Sequence, residues 1–296
     1  MSTGVKKWVY LIVLSIIWGS SYILIKKGLL GLQPLELGSL RIVFTFSILL
    51  LMGYKSLKTI PKDKWGWVAL SGFLGTFFPN YLFAFAETKI NSSIAAVLNG
   101  MTPLFTLVLG IFFFSARLYK KQVLGVLLGF LGTVFLVVQD VNIGATGGSA
   151  YALLVVLAAF CYALNVNLLK YRLQGLSAMA IALGNFVAII GPAVLVLMFT
   201  PFSIRTAAGT PDIMTAMGYI FILAFFGTAL AKVMFNELVA IASPVFSISV
   251  TYLLPIVAIG WGLLDGEAFG LQQWLACGLI LLGVALATER KSKKAA

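Results

Sequence analysis

Histidine is absent from this sequence of 296 residues, and cysteine occurs only twice, at Cys161 and Cys277. Both cysteines lie inside apolar runs, so the chain offers neither a disulfide framework nor a CxxC metal site. The absence of histidine also excludes a zinc site of the HExxH type. We therefore expect no metal and no cofactor.

Charged residues are scarce as well, since they make up 10% of the chain and only 9 residues are acidic. Hydrophobic residues supply 61% of the sequence, and the mean hydropathy is +1.05. This balance lies far outside that of a soluble domain. At about 20 apolar residues per membrane-spanning helix, the length allows about ten spans. The loops between them are too short to hold a soluble enzyme or binding module.

The net charge of +12 comes from short basic clusters that lie between apolar runs. We interpret these clusters as membrane topology signals, and we expect no nucleic-acid partner. If the N-terminus is cytoplasmic, most basic residues fall on the cytoplasmic side, and those outside are Lys26, Lys27, Lys89 and Arg205. The sequence therefore predicts that both termini are cytoplasmic and that the lipid bilayer is the surrounding partner.

Apolar runs between charged or Gly/Pro/Asn-rich breaks predict ten helices, and the fold class is an all-α integral membrane protein. The helices span residues 8–25, 35–54, 65–86, 92–114, 122–138, 150–169, 177–199, 214–239, 244–264 and 272–288. Pro34 and the pair Ser243-Pro244 are typical of helix starts, and they precede the second helix and open the ninth.

A glycine-rich linker at residues 139–149 divides the chain into two sets of five helices, residues 1–138 and 150–288, and a basic tail follows at 289–296. Sliding the first set onto the second aligns, without a gap, Gly75-Thr76 with Gly227-Thr228, Phe83 with Phe235, Pro103 with Pro255, and Gly110 with Gly262. Because five is odd, the two sets must cross the membrane in opposite directions. Inverted repeats of this kind are typical of transporters, whose substrate site lies near the midplane between the repeats.

Four short motifs occur in a characteristic order along the chain. They are WGSSY from Trp18 to Tyr22, LRIVF with Arg41, LNGMTPLFTLVLG with Pro103, and VTYLLPIVAIGWGLLDGE with Pro255 and Glu267. In order and spacing these motifs resemble the EamA-type transporters of the drug/metabolite transporter superfamily. The resemblance implies ten helices, two EamA repeats, and export or exchange of small metabolites across the bacterial inner membrane through a central cavity. The first repeat departs from the pattern, since FFFSARL lacks the glycine-glutamate pair.

Lys232 stands within the eighth predicted helix, where an ionisable side chain is costly unless it faces a cavity or a partner. Thr228 and Asn236 share its helix face, because each lies four residues away. Its counterpart in the first repeat is Asn80, which is polar but uncharged. We interpret Lys232 as a contact for an anionic or zwitterionic solute. The alternative is a lysine whose long side chain reaches the membrane interface.

Further polar and aromatic residues predict a ring around the same cavity. They are Trp18, Ser21 and Tyr22 on the first helix, Asn99 on the fourth, Tyr162 and Asn165 on the sixth, and Ser249 and Tyr252 on the ninth. Small residues such as Ser21 also permit close helix packing, and both interpretations stay open. Pro103 and Pro255 predict helix bends that serve either as hinges for alternating access or as static kinks.

Arg41 and two glycines of the fifth helix are interpreted as structural residues. Glu36 lies five residues before Arg41, about 140° around the helix, so the two side chains are poor partners. We expect Arg41 to pair with another helix or with carbonyl oxygens, ahead of substrate contact. Gly125 and Gly129 form a GxxxG pattern, which suits close packing within the chain or, alternatively, a dimer. A monomer is the favoured state.

The predicted function is a secondary transporter, because the sequence has no Walker motif and no loop able to hold a nucleotide-binding domain. We expect it to export or exchange small amino-acid-like metabolites, anionic or zwitterionic, by alternating access in the inner membrane. All 9 acidic residues lie at or near predicted helix ends or in loops, which favours uniport or exchange over proton coupling. An alternative is efflux of drugs or cationic amphiphiles by proton antiport. A further alternative is an intramembrane enzyme that pairs Ser249 with Lys232.

Overall fold

The computed structural model describes residues 3–90, 92–115, 119–138, 149–210, 212–254, 256–257 and 271–287. Over these residues the chain is helical and contains no strand. Six helices are long and apolar enough to cross a membrane. The predicted all-helical membrane class is therefore confirmed. Pro255, Glu267, most of the predicted linker and the basic tail lie outside the described residues.

The described helices are numbered here in chain order. They are α1 (Thr3–Gly28), α2 (Pro34–Gly53), α3 (Lys62–Ala86), α4 (Ser92–Asn99), α5 (Thr102–Phe114), α6 (Lys120–Val138), α7 (Ser149–Arg172), α8 (Ala178–Met198), α9 (Phe202–Ala207), α10 (Ile213–Ile241), α11 (Pro244–Leu254) and α12 (Leu271–Ala287). Two of the predicted helix starts agree with the structure. Pro34 lies in the first turn of α2, and Ser243 caps α11 by accepting a hydrogen bond from the backbone N–H of Phe246 at 3.2 Å.

The fourth predicted helix, residues 92–114, is interrupted in the structure. α4 ends at Asn99 and α5 begins at Thr102, so the prediction of one continuous helix is wrong. Pro103 lies in the first turn of α5, where a missing backbone N–H is tolerated. The hydroxyl of Thr102 donates to the carbonyl oxygen of Asn99 at 2.6 Å. The proline thus begins a new helical segment instead of bending a continuous one, and its role as a hinge stays a prediction.

Each of the two repeated Gly-Thr pairs lies in a π-helical segment of a long helix. The segment in α3 spans Phe73–Phe77, and the segment in α10 spans Leu223–Leu230. A π turn inserts an extra residue into the helix and occurs frequently at functional sites. The Gly75-Thr76 and Gly227-Thr228 pairs therefore mark the same local distortion in both halves of the chain.

Helices from the first half of the chain pack against helices from the second half. α1 packs along α10, α2 along α8, α3 along α7, and α6 along α12. Lys6 at the start of α1 forms an ion pair with Glu237 near the end of α10. Lys170, near the end of α7, donates to the carbonyl oxygens of Val239 and Ala242 at 3.2 and 2.8 Å. These ends lie at one side of the helix bundle, called here the N-terminal face.

Candidate functional site

A cavity of about 120 Å³ lies between the two halves of the chain and is lined by α1, α2, α3, α4, α7, α10 and α11. Most residues predicted to contact the solute line this cavity, namely Trp18, Ser21, Tyr22, Asn80, Asn99, Tyr162, Asn165, Thr228 and Lys232. The structure thus brings together side chains from five separate helices. Their role in binding stays a prediction.

The helices α3 and α10 contribute equivalent positions to the cavity. The lining residues of α3 are Gly75, Thr76, Asn80 and Phe83, and those of α10 are Gly227, Thr228, Lys232 and Phe235. Each residue of the first set is aligned with one of the second set when the two halves of the sequence are superposed. The cavity is therefore built from two matching walls that differ in charge at a single aligned pair, Asn80 and Lys232.

Lys232 is buried, with 7% of its surface exposed, and it faces the cavity. Its Nζ donates to the hydroxyl of Thr76 at 2.6 Å and to the carbonyl oxygen of Gly75 at 3.1 Å. Both acceptors belong to the π turn of α3, on the opposite wall. The side chain therefore does not extend to the membrane interface, which was the alternative interpretation.

Arg41 of α2 lines the same cavity and contacts both walls. Its Nε donates to the hydroxyl of Thr228 at 2.8 Å, and its Nη1 donates to Oδ1 of Asn80 at 2.8 Å. Arg41 thus pairs with two other helices and also faces the cavity. Glu36, which the sequence predicted to be a poor partner for Arg41, pairs instead with Arg205.

The carbonyl oxygens of both π-turn glycines accept hydrogen bonds from side chains that line the cavity. The carbonyl of Gly75 accepts from Lys232, and that of Gly227 accepts from Nε1 of Trp18 at 2.9 Å. A side chain on either glycine would meet a cavity residue, since a Cβ on Gly227 would lie 2.8 Å from Oγ of Ser21. The backbone of each π turn therefore fixes the position of one side chain that lines the cavity.

The described lining contains two cationic side chains, Arg41 and Lys232, and no acidic side chain. Two like charges that face one cavity repel each other, and the attraction of each to an anion between them would offset that repulsion. Glu87, which directly follows α3, is not among the lining residues. The remaining polar lining consists of hydroxyl, amide and indole groups. The site is thus suited to a small solute that carries a negative charge beside an apolar or aromatic part.

Asn236 is buried but does not line the cavity, which differs from the prediction. Its Nδ2 donates to the carbonyl oxygen of Ala178 at the start of α8, at 3.2 Å. Asn236 shares a helix face with Lys232, but it lies one turn nearer the N-terminal face. An apolar cluster that includes Leu238 and Phe246 lies in this part of the bundle.

Ser249 and Tyr252 also lie outside the cavity lining. The residues of α11 that line the cavity are Ile248, Thr251 and Leu254. One residue along a helix turns the side chain by about 100°, so Ser249 and Tyr252 point elsewhere. Ser249 donates to the carbonyl oxygen of Phe246 at 2.7 Å, and Tyr252 donates to that of Val126 at 2.8 Å. The hydrogen bonds of Ser249 and of Lys232 thus go to other groups, and the serine-lysine pair of the enzyme alternative is not formed.

Several cavity residues were not predicted from the sequence. They include Gly75, Thr76, Phe83, Phe235 and Thr251. The alignment of the two repeats could have found most of them. Thr228 is aligned with Thr76 and Lys232 with Asn80, so the residues around Asn80 are candidates for the equivalent wall. The sequence does not predict that Thr251 lines the cavity, since threonine is also common where membrane helices pack closely together.

The glycines of α6 pack within the chain. A Cβ on Gly283 of α12 would lie 2.5 Å from the backbone nitrogen of Gly129 and 2.7 Å from the carbonyl oxygen of Gly125. Small residues permit this close approach of two helix backbones in a membrane. The GxxxG surface is therefore occupied by α12 of the same chain.

Comparison with known proteins supports the transporter class. The model of the EamA-like transporter family matches residues 6–138 and 149–288. The chain belongs to this family. Membership of this family and the names of its relatives indicate a transporter.

Three relatives and one structure are similar over different shares of the chain. An uncharacterized transporter of Archaeoglobus fulgidus is 26% identical, over 97% of this chain and 100% of the relative. An uncharacterized inner membrane transporter of Escherichia coli K12 is 29% identical, over 95% of this chain and 90% of the relative. A probable amino-acid metabolite efflux pump of Salmonella typhimurium is 29% identical over 50% of this chain and 48% of the pump. A crystal structure with 17% identity matches 97% of both chains with a TM-score of 0.75, which shows the fold alone.

Proposed function

We propose that this EamA-like protein is a secondary transporter of small anionic or zwitterionic metabolites, with amino-acid-like carboxylates favoured. The observation that carries the proposal is that Arg41 and Lys232 face one cavity whose described lining holds no acidic side chain. Charged hydrogen bonds from a guanidinium and an ammonium group to a carboxylate are stronger than those between neutral groups. A bound anion also offsets the cost of keeping two cations away from water.

The proposed architecture is a pair of inverted five-helix repeats with both termini in the cytoplasm. In support, the packing of α1 on α10 has its counterpart in the packing of α7 on α3. α1 begins at the N-terminal face, whereas α7 ends there, because Lys170 contacts the end of α10 at that face. The first helix of each half would thus cross the membrane in opposite directions. The two π turns at matching Gly-Thr pairs give independent support.

Export or exchange across the bacterial inner membrane by alternating access fits this arrangement. One relative is named as an inner membrane transporter, and another as a probable amino-acid metabolite efflux pump. Proton antiport requires an acidic or other titratable group that is free to exchange protons inside the membrane. The fully buried acid Glu36 is already paired with Arg205. Uniport or exchange is therefore preferred to antiport through this carboxylate, and Lys232, which faces the cavity, is the titratable group that proton antiport would use.

The test is a counterflow assay with the purified protein in liposomes, across carboxylates, amino acids, sugars and organic cations. We expect uptake of anions or zwitterions, and we expect Lys232→Met to lower it by at least about tenfold. Lys232→Met removes the donor to Thr76 and Gly75 but also the repulsion from Arg41, so we expect the variant to stay folded and to lose at most about 1–3 kcal/mol of stability. Lys89→Met is the matched control, since Lys89 is exposed and lies outside the cavity. A response confined to cations, or normal transport by Lys232→Met, would contradict the proposal.

A further inference from the structure

Hydrogen bonds within the lining of the cavity leave several N–H groups uncommitted. Arg41 donates from Nε and Nη1, whereas its Nη2 has no hydrogen-bond partner among the described residues. The ammonium group of Lys232 has three N–H groups, and two of them donate to Thr76 and Gly75. Both cations therefore keep donor capacity for a solute in the cavity.

Asn165 of α7, which lines the cavity, supplies a further uncommitted donor. Its side-chain oxygen Oδ1 lies 2.6 Å from the hydroxyl of Ser71. This length is typical of an O–H···O hydrogen bond, because N–H···O bonds are usually about 2.9–3.0 Å long. Ser71 thus donates to Oδ1, and the Nδ2 of Asn165, on the other side of the amide, has no partner in the described part of the chain.

Ser71 of α3 fixes the orientation of this amide from behind the lining. It is buried and is not among the residues that line the cavity. Asn185 of α8 is farther from the same hydroxyl, at 3.3 Å, so the hydroxyl hydrogen is directed to Asn165. Because Gly75 has no side chain, Nδ2 of Asn165 fits where a Cβ on Gly75 would lie 2.3 Å away. Asn165 and Lys232 therefore both adjoin Gly75, whose carbonyl oxygen accepts from Lys232.

Most acceptor oxygens of the lining, in contrast, already accept a hydrogen bond from a neighbouring side chain. These oxygens are Oδ1 of Asn80 and of Asn99, the hydroxyls of Thr76 and Thr228, and the carbonyls of Gly75 and Gly227. An ammonium group on a solute has three donors and no acceptor, so it would need several free oxygens. It would also be repelled by Arg41 and Lys232, and the described lining has no acidic side chain to offset this. The cavity is therefore better matched to a solute with acceptors than to one with an ammonium group.

We propose that the cavity selects carboxylates that lack an ammonium group and carry a second acceptor oxygen beside the carboxylate, as 2-oxo acids do. This inference rests on the proposed transport function and narrows its substrate class. The carboxylate accepts from Arg41 and Lys232, and the oxo oxygen accepts from Nδ2 of Asn165. The apolar part of the solute lies against the aromatic side chains of the lining. Ser71 is a positioning residue that acts through Asn165.

Three ligands with one carbon skeleton test this selection on the unmodified protein. They are leucine, its 2-oxo acid (4-methyl-2-oxopentanoate) and the acid with only hydrogen at the same carbon (4-methylpentanoate). Isothermal titration calorimetry with the purified protein in detergent gives the Kd of each. We expect the 2-oxo acid to bind at least about tenfold more tightly than leucine and at least about threefold more tightly than 4-methylpentanoate. Binding of either of these two as tightly as the 2-oxo acid would overturn the proposal.

Replacement of Asn165 by aspartate tests the direct contact. The carboxylate of this variant has no N–H group for the oxo oxygen, and it can accept from an ammonium group. We expect the preference for the 2-oxo acid over leucine to fall by at least about tenfold in Asn165→Asp. Asn167→Asp is the matched control and should keep the preference, since Asn167 is also a buried asparagine of α7 but does not line the cavity. An unchanged preference in Asn165→Asp would overturn the proposal.

Removal of the Ser71 hydroxyl tests the positioning of the amide. We expect Ser71→Ala to weaken binding of the 2-oxo acid by at least about threefold and to leave binding of 4-methylpentanoate, which does not use Asn165, within about twofold. Ser39→Ala is the control for the loss of a buried hydroxyl, since Ser39 bonds to Tyr81 at 2.8 Å and neither residue lines the cavity. It should change neither Kd. An equal loss for both acids in Ser71→Ala would show a general structural role and would overturn the positioning.

The ligand series separates this inference from the proposed function. If carboxylates are transported but leucine binds as tightly as its 2-oxo acid, only the selection is wrong. If none of the three ligands binds, the inference is overturned, and the counterflow assay alone decides the proposed function. Because the series uses the unmodified protein, it decides the inference even where a variant does not fold.

Discussion

Arg41 and Thr228 lie in opposite halves of the chain and are joined by a hydrogen bond of 2.8 Å from Nε to the threonine hydroxyl. The same guanidinium donates from Nη1 to Asn80 at 2.8 Å. Thr228 is aligned with Thr76, and Asn80 is aligned with Lys232, which donates to Thr76 at 2.6 Å. Arg41 thus joins the two walls of the cavity through Thr228 and Asn80, and Lys232 joins them a second time through Thr76.

Replacement of Arg41 by lysine tests this double contact. An ammonium group lacks the planar fork with which Arg41 reaches Thr228 and Asn80 together, so the exchange is not conservative. We expect Arg41→Lys to raise the KM for a carboxylate by about tenfold, and Arg41→Gln to raise it further. Lys26→Gln, at an exposed cation of α1, is the control and should transport normally. An unchanged KM in Arg41→Lys would show that the fork is not needed.

The close packing of the π turn of α3 can be tested by adding a methyl group at Gly75. A Cβ on Gly75 would collide with the side-chain amide of Asn165, whose Oδ1 accepts a hydrogen bond from Ser71 at 2.6 Å. Overpacking of this kind costs about 1–3 kcal/mol. We expect Gly75→Ala to lower both the melting temperature and the transport rate. Gly66→Ala, on the same helix with nothing within 4 Å of the new Cβ, should change neither.

We expect the loss of one partner of the Glu36–Arg205 ion pair to destabilise the protein more than the loss of both partners. The side chain of Glu36 is 0% exposed and that of Arg205 is 25% exposed. Removing one partner of a buried pair leaves an uncompensated charge and costs about 3–5 kcal/mol, whereas replacing both with apolar residues is often neutral. Since Arg205 is partly exposed, Arg205→Met should destabilise the protein by about 3 kcal/mol. Thermal unfolding in detergent measures this, and the double variant Glu36→Leu/Arg205→Met should be more stable than Arg205→Met.

The contact between α6 and α12 depends on Gly283. A Cβ there would lie 2.5 Å from the backbone of Gly129, which cannot move aside as a side chain could. We expect Gly283→Leu to destabilise the protein by at least about 1–3 kcal/mol. Gly278→Leu on the same helix meets nothing within 4 Å at its Cβ and should be tolerated. Equal melting temperatures for the two variants would contradict the close packing of α6 and α12.

Much of the candidate site could be predicted from single helices. Lys232 was singled out because a charged side chain within an apolar run needs a polar environment. Helical spacing then placed Thr228 on the same face, and the structure puts both beside the cavity. The same spacing also selected Asn236, because periodicity defines a face of a helix but not how far a cavity extends along it.

Other features depend on local hydrogen bonds that the residue types alone do not determine. The interruption before Pro103 and the turn of α11 that directs Ser249 away from the cavity depend on local hydrogen bonds such as that from Thr102 to Asn99. The sequence showed a proline and a serine at these places, and each residue type is compatible with either a continuous or a broken helix in a membrane.

The amino-acid sequence is sufficient to show that this chain is a helical membrane protein, because apolar segments of about 20 residues satisfy their backbone groups in lipid only as helices. It also determined that Lys232 requires a polar partner and that two Gly-Thr pairs are equivalent. The packing of the helices was needed to show that Arg41 and Lys232 face one cavity, where Arg41 bonds to Thr228 and Asn80, and Lys232 bonds to Thr76. The physical reason is that helix periodicity sets the direction of a side chain around its own axis, whereas the meeting of residues distant in sequence depends on how the helices pack.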